Sequence, residues 1–145
     1  MTVSAPTAQL AAPAGRVSAA RILLYSDNAL VRDLVRGTIG ETIGADARPL
    51  VWTQVATSAI AMHECHTGRF DLVVIDNETT KLGGVGLVRQ MRAELGWQPV
   101  VLLLLARPQD AWLAAWSGAD AALLQPVAPP VLVAEVAKLL GVPEV

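Results

Sequence analysis

The chain has 145 residues, 53% of them hydrophobic and 17% charged, with a formal net charge of −2 and a mean hydropathy of +0.46. That is the length of one domain, and so apolar a composition excludes disorder over most of it. The longest apolar run, Val100 to Ala106, falls far short of the roughly 20 residues that cross a bilayer, so no direct membrane insertion is expected.

Eleven Lys and Arg against thirteen Asp and Glu leave no basic excess to neutralise phosphates, which speaks against nucleic-acid binding. The single cysteine, Cys65, cannot close an internal disulfide, and a reducing cytoplasm is the expected compartment. Residues 1–19 mix Ala, Pro, Ser and Thr with no charged start and no uninterrupted apolar stretch, because Pro6 and Pro13 break it. A secretory signal is therefore not expected there; a flexible tail is.

From Arg21 a pattern begins and repeats. Ile22 to Tyr25 is a short apolar run suited to a buried strand. Asn28 can then cap a helix whose apolar positions, Leu30, Val31, Leu34, Val35 and Ile39, recur at helical spacing. Leu50 to Val55 predicts the next strand, Ser58 to His66 a helix ended by Gly68, and Asp71 to Ile75 a third strand. A glycine-containing loop, Gly83 to Gly86, leads to a helix from Leu87 to Leu95. Val100 to Leu105 is the fourth strand, Gln109 to Ser117 a helix, Ala121 to Leu124 the fifth strand and Pro130 to Leu140 the last helix.

Five strand and helix units in alternation imply a parallel sheet with helices on both faces, a doubly wound α/β fold, because right-handed crossovers lay helices over both sides. In such sheets ligands bind outside the carboxyl ends of the strands. The residues there are Ser26 and Asp27 after strand one, Asp76, Asn77 and Glu78 after strand three, Leu105 and Ala106 after strand four, and Gln125 and Pro126 after strand five.

The runs ILLYSDNALVRDLV, FDLVVIDNETTKLGGVGLVRQMR, PVVLLLLARPQD and SGADAALLQPVAP resemble the receiver domain of two-component response regulators, over residues 21–140. The resemblance implies a flavodoxin-like five-stranded sheet of order 2-1-3-4-5, a domain over residues 20–141, and a carboxy-terminal tail at 142–145. It also implies that Asp76 is the equivalent of the phosphoacceptor and that Asp27, Asp76 and Glu78 would line a Mg²⁺ site.

Four positions depart from the family pattern. Ser26 stands where an acidic residue belongs, Leu105 where a Thr or Ser belongs, Gln125 where a Lys belongs, and Ala122 where an aromatic switch residue lies. With Ser26 a Mg²⁺ site loses a formal charge, and metal binding is expected to be weak or absent. Gln125 offers no positive charge to a phosphoryl group carrying nearly two negative ones, and Leu105 offers neither donor nor acceptor. The expectation is a degenerate receiver with a disabled switch; the alternative is an active single-domain phospho-receiver, phosphorylated on Asp76 by a sensor kinase.

Only residues 141–145 follow the resemblance, so output is expected by protein contact, not by an appended module or by catalysis. Trp112 and Trp116 stand four residues apart on one face of the fourth helix and are the candidate partner-binding residues. Trp52 and Trp97 are assigned to packing near the sheet edges. The YSDN, DNETTKLGGVG and RPQDAWLAAWSGADA runs further resemble actinobacterial orphan response-regulator-like proteins associated with the respiratory NADH:quinone oxidoreductase, complex I. That resemblance implies an accessory subunit held at the inner face of the plasma membrane through its partner; the tryptophans would equally suit another protein partner or a homodimer.

Three other constellations are weaker. His63 and His66 lie at metal-binding spacing, but no further ligand pair accompanies them. Gly83, Gly84 and Gly86 do not directly follow a strand, as a dinucleotide fingerprint requires. The run Asp76 to Thr80 faintly resembles the opening of haloacid-dehalogenase phosphatases, without the lysine and later acidic pair such enzymes use.

Overall fold

The computed structural model describes residues 18–78 and 83–143. The predicted amino-terminal tail up to residue 17, Thr79 and Thr80 of the phosphatase-like run, and residues 144–145 lie outside these.

The element order is β1 (Ala20–Tyr25), α1 (Ala29–Ile39), β2 (Thr42–Ile43), β3 (Arg48–Val55), α2 (Ser58–Thr67), β4 (Leu72–Asp76), α3 (Gly83–Glu94), β5 (Val101–Leu105), α4 (Ala111–Ser117), β6 (Ala121–Leu124) and α5 (Pro129–Leu139). A 3₁₀ turn, Pro108–Asp110, precedes α4, so that helix begins later than Gln109. The sheet has six strands in the order β2-β3-β1-β4-β5-β6. Five are parallel in the expected order, and the sixth, β2, is a correction: Thr42 and Ile43 pair antiparallel with Pro49 and Arg48.

Alternation along the strands splits the core in two. Ile22 and Leu24 of β1 with Val74 of β4 and Leu102 and Leu104 of β5 face Val35 and Ile39 of α1 and Leu132 and Val136 of α5. Leu23, Tyr25, Val73, Ile75, Leu103 and Leu105 face α2, α3 and Ala114 of α4. Every residue of β4 and β5 is buried, which is why β5 reads as an unbroken aliphatic run and β4 as one up to its last residue, Asp76. Two expectations for the helices are corrected. Leu30 and Leu34 share the helical spacing of α1 but are 77% and 65% exposed, because Val35 and Ile39, with Val31 partly buried beside them, are the residues that meet the core. The glycines before Leu87 are already helical from Gly83: a Cβ on Gly84 would lie 2.7 Å from the Cα of Asn77 and 2.9 Å from the Ile75 side chain, so this first turn packs against the end of β4 without room for one.

At the other end of the sheet, Arg48 donates to the carbonyls of Ser18 and Leu140, and the Ala45 N–H donates to the carbonyl of Pro143. Val142, which the sequence put in the carboxy-terminal tail, packs into the core beside this hairpin.

Candidate functional site

The sheet delivers its polar residues to one end. Ser26 follows β1, Asp76 is the last residue of β4, paired in register with Leu104 of β5, and Gln125 follows β6. Asp76 is 3% exposed and Ser26 is fully buried, so the carboxylate must be satisfied by protein donors or by a ligand. Protein donors do it: the Ser26 hydroxyl donates to Oδ2 at 2.7 Å, the Glu78 backbone N–H to Oδ1 at 2.9 Å, and the Gln125 amide to Oδ1 at 3.4 Å.

Ser26 is itself held from two sides. Its oxygen accepts from the Asn28 N–H at 3.0 Å, which directs its single proton to Asp76, and its carbonyl accepts from the Arg32 guanidinium at 2.6 Å. Asn28 also caps α1, its side chain accepting from the Leu30 N–H at 2.9 Å. The turn that begins the first helix therefore also orients the hydroxyl at the acidic site. On the β4 side, the Asn77 side chain accepts from the Val85 N–H at 2.9 Å and ties the strand end to α3.

The remaining candidate residues lie around this cluster. Asp27 is exposed, and Glu78 reaches Asp76 through its backbone while its side chain is exposed. Among the described residues, no three His, Cys, Asp or Glu side chains form a group able to hold a metal ion. Leu105 ends β5 inside the core and Ala106 beyond it is exposed, so no hydroxyl stands at this strand end. Ala122 is exposed beside Ala111 and Ala115, along a hollow of about 310 Å³ between α4 and β6. Arg107 pairs with the buried Asp110 at 3.1 Å, holding the loop between β5 and α4 to the helix start.

Trp112 and Trp116 are 66% and 56% exposed and do not fold into the core. Trp52 and Trp97 are half-buried, their indole N–H groups donating to the carbonyls of Gly40 and Cys65 at 2.9 and 2.8 Å. Two functional neighbours escaped the sequence: Arg32 at the Ser26 carbonyl and Arg89 over the Trp116 ring, 3.8 Å from its centroid. The only sequence signal for either was helical spacing, four residues from the cap Asn28 for Arg32 and none for Arg89, which lies on another helix.

An uncharacterized response regulatory protein of Mycobacterium tuberculosis, found in two strains, is 40% identical over 126 residues, covering 87% of this chain and 95% of the relative. The chain belongs to the response regulators. No family model matches it. Its receiver fold is shared with the signal receiver domain of a histidine kinase from Syntrophus aciditrophicus, at 23% identity, a TM-score of 0.70 and coverage of 84% and 90% of the two chains. The magnesium-bound receiver domain of a sensor histidine kinase from Pseudomonas aeruginosa PAO1 matches at 22% identity and a TM-score of 0.68, covering 85% of this chain and 98% of that one. As a receiver, the chain thus carries Asp76 at the end of its central strand with a serine hydroxyl, not a second carboxylate, against it.

Proposed function

We propose that this receiver is a pseudo-receiver: Asp76 is kept as a structural anion, takes up neither Mg²⁺ nor a phosphoryl group in normal operation, and the domain acts by protein contact without catalysis. The observation that carries this reading is the 2.7 Å hydrogen bond from Ser26 to Asp76. A receiver needs a metal beside its acceptor to neutralise an incoming phosphoryl group, and Mg²⁺ takes oxygen ligands in near-octahedral geometry. The buried serine hydroxyl occupies one carboxylate oxygen and adds no charge, and two further donors hold the other oxygen. With a serine where a carboxylate belongs, this donor set holds the ion weakly or not at all.

The output side of the switch is equally bare. No hydroxyl at the end of β5 and no lysine after β6 can follow a phosphoryl group, so the two states would differ by no new contact, and a ligand without differential contacts shifts no equilibrium. The Arg107–Asp110 pair ties the loop between β5 and α4 to the start of that helix.

The partner in this reading is the respiratory NADH:quinone oxidoreductase, on which the domain sits as an accessory subunit at the cytoplasmic side of the membrane. The reading rests on the resemblance of the YSDN, DNETTKLGGVG and RPQDAWLAAWSGADA runs to proteins of that association. The exposed tryptophans of α4 supply a contact surface, and no helix among the described residues is long and apolar enough to cross the membrane by itself. The test is to tag the chain in its own cell, solubilise membranes gently and identify what co-purifies. Recovery of the oxidoreductase subunits in fixed proportion supports the reading; recovery of a histidine kinase in their place supports an active phospho-receiver.

A further inference from the structure

The tryptophan pair has a direction. On α4, Ala114 and Ser117 are buried, and Ala111 and Ala115 line the hollow against β6. Trp116 emerges on the other side, towards α3, where the Arg89 guanidinium lies over its ring and also donates to its carbonyl at 3.3 Å. Trp112, one turn earlier, lies on the same row of the helix. The exposed ridge is therefore built by Trp112 and Trp116 of α4 with Arg89 of α3, and it is turned away from the hollow against β6.

Three arginines surround α4, and they differ in their counter-charges. Arg92 reaches the Asp120 carboxylate at 3.1 Å, and Arg107 reaches that of Asp110 at 3.1 Å. Arg89 has no carboxylate among the described residues; it has a ring and a carbonyl. Stacking on an indole holds the guanidinium in place while leaving most of its N–H donors open. A partner that covers Trp116 also strips water from Arg89, and a buried guanidinium without an anion is strongly unfavourable.

Resting on the contact reading above, we propose that the α3–α4 ridge of Arg89, Trp112 and Trp116 docks an acidic segment of a different protein, with an Asp or Glu carboxylate on Arg89 and a bulky apolar side chain against Trp112. The planar guanidinium takes such a carboxylate in a bidentate pair, and the tryptophans supply the apolar area that anchors it. A two-fold pair of copies centred on Trp116 would set Arg89 against Arg89, a like-charge contact that an acidic partner avoids.

The experiment places a photo-reactive benzoylphenylalanine at position 112 of the full chain in the cell that makes it, and maps the cross-linked peptide by mass spectrometry. The proposal expects one partner peptide with an Asp or Glu within a few residues of the adduct. Arg89→Glu is expected to lower the yield at least tenfold, and a Lys in place of that partner acid to restore it in the Arg89→Glu background. Arg89→Gln, which removes the charge with little change of shape, gives the same loss should Arg89→Glu fold poorly. An adduct on a second copy, a peptide without carboxylates, a yield indifferent to both variants, or no adduct each overturns the proposal. A charge-swapped adduct on a protein other than the oxidoreductase leaves this surface standing and removes that partner; co-purification of the oxidoreductase with an adduct indifferent to Arg89 does the reverse.

Discussion

The Ser26 hydroxyl and the Asp76 carboxylate lie 2.7 Å apart in the interior of the domain, and each is the other's nearest polar match. Removing the hydroxyl leaves a buried anion one donor short, a loss of about 1–3 kcal/mol for such groups. Ser26→Ala is thus expected to lose stability in that range in urea denaturation and to unfold at lower urea than the native chain, while exposed Ser18→Ala unfolds at the native midpoint.

Restoring a carboxylate at the same point has a different signature. Ser26→Asp sets two carboxylates within contact distance and destabilises the metal-free domain, but it also restores the acidic pair that holds Mg²⁺ in receivers. Its melting temperature is expected to rise by several degrees on going from EDTA to millimolar Mg²⁺, since a ligand that binds only the folded state stabilises it by mass action. The native chain is expected to melt at the same temperature in both buffers.

Gly84 is expected to tolerate no side chain. A Cβ there meets the backbone of Asn77, which cannot swing aside, so Gly84→Ala costs about 2 kcal/mol or more. Gly96→Ala, with nothing within 4 Å of the new methyl, leaves stability unchanged. Paired chemical denaturation curves separate the two.

Burial pushes the Cys65 thiol up from its ordinary value of 9.0 to about 11, with neighbouring Glu64 adding to the rise. The folded state therefore favours the neutral thiol. Its contribution to stability is whole below pH 9 and is lost as the pH climbs from 9 towards 11. The stability difference between the native chain and Cys65→Ala should shrink over that interval and hold constant between pH 6 and 8. A thiol reagent at pH 7.5 is expected to react with the folded chain far more slowly than with the urea-unfolded one.

Much of this was written in the sequence, for identifiable reasons. Strands buried on both faces are aliphatic nearly throughout, so β4 and β5 stand out in the sequence, and the rule that ligands bind at the carboxyl ends of such strands brings Ser26, Asp76 and Gln125 together. What stayed hidden was what periodicity does not carry. β2 is two residues long and exists because the turn before Arg48 folds back on β3. Leu30 and Leu34 satisfy a helical stripe, yet it is Val35 and Ile39 of that stripe, with Val31 partly buried beside them, that pack against the core. The Gly83–Gly86 segment looked like a loop because glycine is a poor helix former; a close approach to Asn77, visible only in three dimensions, is what calls for Gly84. Arg32 and Arg89 act through the reach of long side chains to groups on other elements, and no one-dimensional pattern records that.

In the proposed reading Asp76 is closed to phosphoryl chemistry because Ser26 and Gln125 stand where a carboxylate and a lysine would. That reading is tested most directly by incubating the native chain and the Ser26→Asp, Gln125→Lys double variant with Mg²⁺ and beryllofluoride, and following the fluorine resonance and the backbone amides around Asp76 by NMR. The native chain is expected to show no bound fluoride signal and no amide shift, and the variant a one-to-one adduct. A stoichiometric adduct on the native Asp76 would contradict that reading.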